Sequence, residues 1–233
     1  MKTVHFVRHG ETEENKDGIW QGHTNTQLSK TGKAQAKLLS KRLNLKNQTV
    51  FTSDLARAKE TAYFLSDSPT VRENLREINV GDFTGKTVKE TYSNNLDIFD
   101  ALQDDTYFFP NGESVQEFKQ RVQQEVDYIF ENIDEDSECV VVTHGFFIGT
   151  AIGLVLGFNQ YPYPIGNIQN TSISTVIKRD SVMQVNKFND AIHLPNSDID
   201  YPVKDKSRIL TFIRHGQTDS NTQGVWQGHV DNP

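Results

Sequence analysis

The sequence predicts an α/β domain of three layers, an αβα sandwich around a mostly parallel central sheet, and three features predict it. Short runs rich in β-branched and aromatic residues alternate with longer amphipathic stretches along most of the chain. Cys139 to Val142 is a continuous apolar run of the kind buried on both faces of a central strand. Finally, two expected strands end in Arg8-His9 and in His144 and run directly into glycine, which would place both histidines at the carboxyl edge of the sheet, where open α/β folds bind ligands.

The elements follow in order. Thr3 to Val7 reads as a strand, short and β-branched before a glycine turn. Thr31 to Leu43 sets Ala34, Leu38, Leu39 and Arg42 at helical spacing behind a Ser29/Thr31 start signal. Asn47 to Thr52 is a second strand, and Ser53 or Asp54 caps a helix from Leu55 to Leu65. A brief strand is expected over Val71 to Glu73, a loop over Glu77 to Lys86, and a helix over Val88 to Leu102. After the Pro110-Asn111-Gly112 break, Ser114 to Asn132 carries Val115, Phe118, Val122, Val126 and Ile129 on one stripe, an amphipathic helix. Glu138 to Thr143 is the central strand, followed by a buried helix over Phe146 to Phe158. Strands Thr171 to Ile177 and Ser181 to Phe188 are joined by the turn Lys178-Arg179-Asp180, and Ala191 to Lys206 reads as a linker.

The chain of 233 residues has room for one domain of about 190 residues and a tail. A formal charge of −7 disfavours nucleic acid and anionic membrane as partners, because a phosphate backbone is held by clustered Lys and Arg. Small anions remain open to a local pair of arginines. Cys139 is the sole cysteine, so neither a disulfide framework nor a thiolate metal site is expected, and a cytoplasmic setting follows as the default. Lys2, His5, Arg8 and His9 occupy the place of a signal peptide's apolar region. The apolar stretch Phe146 to Phe158 contains Gly149, Gly153 and Gly157 and falls short of the ~20 residues of a bilayer span.

One signature occurs twice. Phe6-Val7-Arg8-His9-Gly10-Glu11-Thr12 with Asn15 and Trp20-Gln21-Gly22-His23 returns, in the same register, as Phe212-Ile213-Arg214-His215-Gly216-Gln217-Thr218 with Asn221 and Trp226-Gln227-Gly228-His229. Residues 1–190 are therefore expected to form the domain, 191–206 the linker, and 207–233 the start of a second, truncated copy. The tail reads first as inert; the sharper alternative is that Ser207 to Ile213 is an apolar edge in search of a sheet, which leaves a homodimer or exchange of the tail strand open.

Two histidines, two arginines and a glutamate suit phosphoryl transfer. Imidazole attacks phosphorus as a nucleophile, and guanidinium groups offer planar bidentate donors to the equatorial oxygens. The blocks Arg8-His9-Gly10-Glu11-Thr12 with Asn15, Ser53-Asp54-Leu55-Ala56-Arg57-Ala58-Lys59-Glu60-Thr61-Ala62, Leu75-Arg76-Glu77 with Gly81 and Gly85, and Thr143-His144-Gly145 stand in that order. Together they resemble the histidine phosphatase superfamily, the branch of phosphoglycerate mutase and its phosphatase relatives, over residues 1 to about 188.

The resemblance implies a phosphoglycerate mutase-like fold and a role for each matching position. His9 would be the phosphorylated nucleophile, Arg8 and Arg57 the phosphate clamp, and His144 a stabiliser of the transferring group. Asn15 and Gln21, with Gly145, would contact the phosphate or substrate. Glu77 would protonate the leaving alcohol and then take a proton from the hydrolytic water, which requires a pKa raised by partial burial. No metal or other cofactor is implied.

Thr84 stands where many relatives carry an acid, Phe146 and Phe147 replace polar residues, and the short spacings match the phosphatase branch. Hydrolysis of a small phosphorylated metabolite is therefore expected, ahead of phosphoglycerate isomerisation or a phosphate-binding pseudoenzyme. Lys86, Lys89 and His23 are candidates for the entrance to the site, though the lysines read more naturally as solvated surface.

Overall fold

The computed structural model describes residues 1–44, 48–93, 104–158 and 167–195. Six strands form one sheet: β1 (Lys2–Arg8), β2 (Thr49–Ser53), β3 (Thr70–Arg72), β4 (Glu138–Thr143), β5 (Ile173–Arg179) and β6 (Val182–Asp190), in the order β3-β2-β4-β1-β5-β6. The β3-β2, β2-β4 and β4-β1 pairings are parallel, whereas β5 and β6 are added antiparallel as a hairpin. The mostly parallel sheet expected from the sequence is thus present, with the hairpin closing one side.

Both faces of the sheet are covered. In β4, Cys139 and Val141 point to one core with Val4, Phe6 and Val176, while Val140 and Val142 point to the other with Val7 and Val50. This strict alternation is the period-2 rule of a pleated strand, and burial on both sides explains why β4 reads as unbroken Cys-Val-Val-Val. On the first face lie α5 (Val115–Glu131) and α6 (Gly145–Val155). The second face is covered by α2 (Lys30–Leu43) and α3 (Ala56–Ala62), through Leu39, Ala58 and Ala62. Two short helices, α1 (Glu13–Lys16) and α4 (Val88–Ser93), complete the α-helices of the described residues, and single 3-10 turns lie at Glu73–Leu75 and Gly81–Phe83.

Local chemistry sets the boundaries. Ser114 and Glu117 form a reciprocal capping box at the start of α5, and Ser29 caps α2 by accepting from Gly32 N–H. At α3 the expected cap is corrected: Leu55 is the N-cap and makes no side-chain bond. Asp54 is instead drawn into a bidentate pair with Arg76, and the Ser53 hydroxyl faces His144. β5 begins at Ile173, because Thr171 has a left-handed φ of 59° and makes a turn of what the sequence reads as strand. Of the helix expected over Val88 to Leu102, the part up to Ser93 is helical and residues 94–103 lie outside the described residues, as do 196–206 of the linker and the whole repeated signature after it.

Candidate active site

The strand register builds the centre of the site. Arg8 is paired with Thr143 across β1 and β4, so the next residues, His9 and His144, leave the sheet side by side. A bond from His9 N–H to Thr143 O of 2.9 Å extends the ladder by one step, and the two rings lie 5.1 Å apart at 60°. Gly10 then turns the chain beneath α2: a Cβ there would sit 2.7 Å from Gly32 O, so only glycine permits this approach. Thr61 ties the turn to α3, accepting from Gly10 N–H and donating to Arg57 O.

His9 is buried, 3% exposed, and its Nδ1 donates to Gly10 O at 2.8 Å. That bond fixes the tautomer and leaves Nε2 unprotonated with its lone pair available. Burial, then the charges of Arg57 and Arg8, hold its pKa well below the ordinary histidine value. A neutral imidazole at physiological pH results.

Arg57 is 1% exposed. Its Nη1 donates to Thr24 O at 2.7 Å and its Nη2 to Gly22 O at 2.9 Å, so the loop after Trp20 wraps the guanidinium. Burial lowers its pKa to about 10, still far above neutrality. Arg8 donates from Nη1 to Ile168 O. The Nε atoms of both arginines and Nδ1 of His144 are buried and have no protein partner among the described residues, although buried polar atoms are generally satisfied. The other ring nitrogen of His144, Nε2, meets Ser53 Oγ at 2.9 Å. Burial, then Arg57, lowers the pKa of His144 also.

Two amides are oriented by their acceptor bonds. Asn15 Oδ1 accepts from Thr12 N–H and from Asn170 Nδ2, and Gln21 Oε1 accepts from Thr26 Oγ1. Each is left with its NH₂ group to offer an anion. Asn170 Nδ2 also donates to His9 O, and Thr171 N–H to Arg8 O, so the strained turn before β5 clasps the end of β1.

Glu77 enters from the loop after β3. Thr143 Oγ1 donates to Leu75 O, His23 Nε2 to Glu77 O, and Arg121 to the carbonyls of Asn74, Arg76 and Glu77 while pairing with Glu113. Its carboxylate accepts from the amides of Phe146 and Phe147 in the first turn of α6 and from Ile78 N–H. It therefore supplies the helix cap that His144 does not. Burial raises its pKa, opposed by the bonds from Phe146 and Ile78 and by Arg57 and Arg8.

Arg8, His9, Asn15, Gln21, Arg57, Glu77 and Gly145 line one cavity of about 620 Å³. His144 sits behind it, fully buried, beside His9. The residues expected to act on the phosphate or the substrate are thus brought to one place. A Cβ on Gly145 would meet Arg8 Nε at 3.5 Å, an ordinary contact. Lys86 and Lys89 are exposed, as their reading as solvated surface has it, and His23 is off the cavity lining; Phe146 lines the cavity, whereas Phe147 is core. Ser53, Arg121 and Asn170 were missed, being ordinary polar residues whose partners are distant in sequence. The polar run Asn170-Thr171-Ser172 ahead of an apolar strand was the one available signal.

Two guanidiniums beside a neutral histidine, at the carboxyl edge of a three-layer α/β sheet, form a set that suits phosphoryl transfer. The chain belongs to the histidine phosphatase superfamily (branch 1), whose pattern matches residues 4–191. It is 31% identical over 188 residues to a protein of Erwinia tasmaniensis described as "Probable phosphoglycerate mutase GpmB", covering 78% of this chain and 87% of that one. Among solved structures it is similar to phosphoserine phosphatase from Entamoeba histolytica in complex with phosphoserine, at 28% identity and TM-score 0.72, covering 84% of this chain and all, 100%, of the other. A mycobacterial glucosyl-3-phosphoglycerate phosphatase is similar at 25% identity and TM-score 0.74, with 82% and 100% covered.

Proposed function

We propose that the protein is a phosphomonoesterase that hydrolyses a small phosphorylated metabolite through a phosphohistidine on His9. The observation that carries this reading is the unprotonated Nε2 of a buried, neutral His9 beside two arginines whose Nε donors lack protein partners. In the first step Nε2 attacks phosphorus and the bond to the ester oxygen breaks. That oxygen leaves with the bonding pair and takes the proton of Glu77, whose raised pKa keeps a protonated fraction. Arg8, Arg57, Asn15 and Gln21 donate to the equatorial oxygens as charge spreads over them, with His144 acting from behind through its ring. In the second step water attacks phosphorus, the P–N bond breaks with its pair returning to Nε2, and Glu77 takes the water's proton.

Isomerisation of phosphoglycerate is the rival, since relatives carry that name. Phosphate release from a panel of esters, with acid-labile phosphate trapped on the protein, tests the reading. Release and labelling that both vanish in His9→Ala are expected. Isomerised phosphoglycerate without net phosphate release would replace hydrolysis by mutase action. We place the enzyme in the cytoplasm, in keeping with the buried, unpaired Cys139, whose thiol pKa burial pushes up to about 12. No helix of the described residues is long and apolar enough to cross a membrane. The signature repeated in residues 207–233 is read first as an inert second copy of the opening block; the sharper alternative is that its apolar strand exchanges between chains or supports a homodimer. Its deletion should then change the oligomeric state, and an unchanged state and turnover would reject the role.

A further inference from the structure

Away from the two arginines the cavity wall is largely apolar, with Thr150, Asn167 and Asn170 as its uncharged polar members. Ile19, Trp20, Ile78, Val88, Phe146 and Ile168 line it, with the Trp20 and Phe146 rings 5.8 Å apart and tilted by 35°. Arg8 and Arg57 are the only cationic side chains on the lining among the described residues, and both belong to the phosphate end. Lys86 extends instead over the Phe83 ring, 5.5 Å from its centre.

A leaving alcohol that carries a carboxylate brings a second negative charge into this cavity. Desolvating such a charge without a cation or a full set of donors is unfavourable. The two guanidiniums are already matched by the phosphate dianion, and Glu77, when ionised, repels a carboxylate. An apolar or aromatic alcohol instead gains from burial against Ile19, Val88, Ile168 and the Trp20-Phe146 pair.

Building on the phosphatase reading, we propose that the substrate is the phosphomonoester of an uncharged, largely apolar alcohol, selected by the Ile19/Trp20/Val88/Phe146/Ile168 wall. The carboxylate-bearing esters phosphoserine and 3-phosphoglycerate, bound by similar proteins, are then poor substrates for this chain.

The test uses the full chain and esters of unactivated alcohols, so that leaving-group acidity does not decide the result. Steady-state kcat/KM is compared for benzyl phosphate, hexyl phosphate, phosphoserine and 3-phosphoglycerate. It is also compared for phosphorylated 3-hydroxypropionate against its methyl ester, a pair differing chiefly in charge. The expected preference for the uncharged esters is at least roughly 100-fold, the upper range of discrimination by an apolar pocket. In Val88→Arg, where the long stem can lie along the wall and present its charge, the preference should narrow by at least about tenfold. Equal or greater kcat/KM for the carboxylate esters overturns the proposal while leaving the phosphatase reading intact. Absence of His9-dependent release from every ester overturns that reading, and this proposal with it.

Discussion

Replacing Glu77 by glutamine separates its two duties, proton donor and helix cap. Glutamine keeps the shape but has no proton to transfer at neutral pH and only one acceptor oxygen. In the native site Oε1 accepts from Phe147 N–H and Ile78 N–H, and Oε2 from Phe146 N–H. The less damaging orientation puts the amide oxygen in the place of Oε1 and sets an NH₂ group against the Phe146 amide. One buried donor left unsatisfied costs about 1–3 kcal/mol, and each kcal/mol lowers Tm by roughly 2–4 °C in a domain of this size.

The catalytic loss is separable from that cost. Removing general-acid assistance lowers kcat/KM by roughly 10²–10⁴ for an alkyl phosphate, whose alkoxide leaves poorly. An aryl ester such as 4-nitrophenyl phosphate expels a stable phenolate without a proton, so its loss should stay within about tenfold. Initial rates on both esters are measured for the native protein and Glu77→Gln, with thermal melts to verify that both are folded at the assay temperature. The expected result is a fall of at least about 100-fold in the alkyl-to-aryl ratio. Equal losses on the two esters, accompanied by the Tm decrease, would refute the acid role and leave Glu77 as a cap of α6 alone.

The pH dependence follows from opposite shifts at His9 and Glu77. Hydrolysis of alkyl esters needs His9 neutral and Glu77 protonated, so the rate should fall as pH rises through the Glu77 pKa, raised above the ordinary carboxyl value by burial, and fall again as pH drops through the lowered pKa of His9; a rate that keeps rising from pH 5 to pH 9 would contradict this. Stability obeys the same signs. The raised Glu77 pKa contributes stability below the ordinary carboxyl value that is lost as pH rises through the folded value, while lowered His9 and His144 contribute above the ordinary histidine value and lose it as pH falls through theirs. Urea midpoints across pH 4–9 in the native protein and Glu77→Gln would show whether the loss above the ordinary carboxyl value disappears. Arg121→Met removes donors to the Asn74, Arg76 and Glu77 carbonyls and strands Glu113 at 15% exposure, so a loss of about 3 kcal/mol is expected, with kcat falling more than KM rises as Glu77 loses its position. An unchanged urea midpoint would reject this clamp.

The parts of the site legible in the sequence are those whose geometry is local. β1 and β4 announce themselves by composition, and residues that directly follow parallel strands must appear at one edge. His9 and His144 could therefore be placed together before any register was known. Arg57 could be placed in the first turn of the helix after β2 for the same reason. What the sequence could not show is support that comes from across the fold. Nothing in Arg121 reveals that it spans three carbonyls of the Glu77 loop, and nothing in Ser53 reveals that its hydroxyl meets a histidine from β4 instead of capping α3. The α3 cap failed for a related reason: Ser and Asp at a helix start are good caps unless a stronger partner is near, and Arg76 and His144 are the stronger partners here. Thr171 shows the limit of propensity, since a β-branched residue beside a strand was held in a left-handed turn by bonds to Arg8 and His9.

The two arginines have a second effect that binds the parts of the site together. A histidine meant to act as a base is commonly backed by a carboxylate, which stabilises the imidazolium it becomes. His9 is backed by the neutral carbonyl of Gly10, which fixes the tautomer but supports a positive charge only weakly. Arg57 and Arg8 disfavour that charge further, so the ring is held as a nucleophile. When a phosphate dianion arrives between the guanidiniums, it offsets their field at the moment Nε2 forms its bond to phosphorus. Arg57→Met should therefore do more than weaken phosphate binding. It removes the stronger of the two positive charges acting on His9, leaving burial and Arg8 to hold its pKa down, so the His9 value should rise and the acid limb of the rate profile should move upward with it. Titration of the His9 ring by NMR, native against Arg57→Met, measures this directly. An unchanged His9 pKa would mean that burial alone keeps the nucleophile neutral and that the arginines serve the phosphate only.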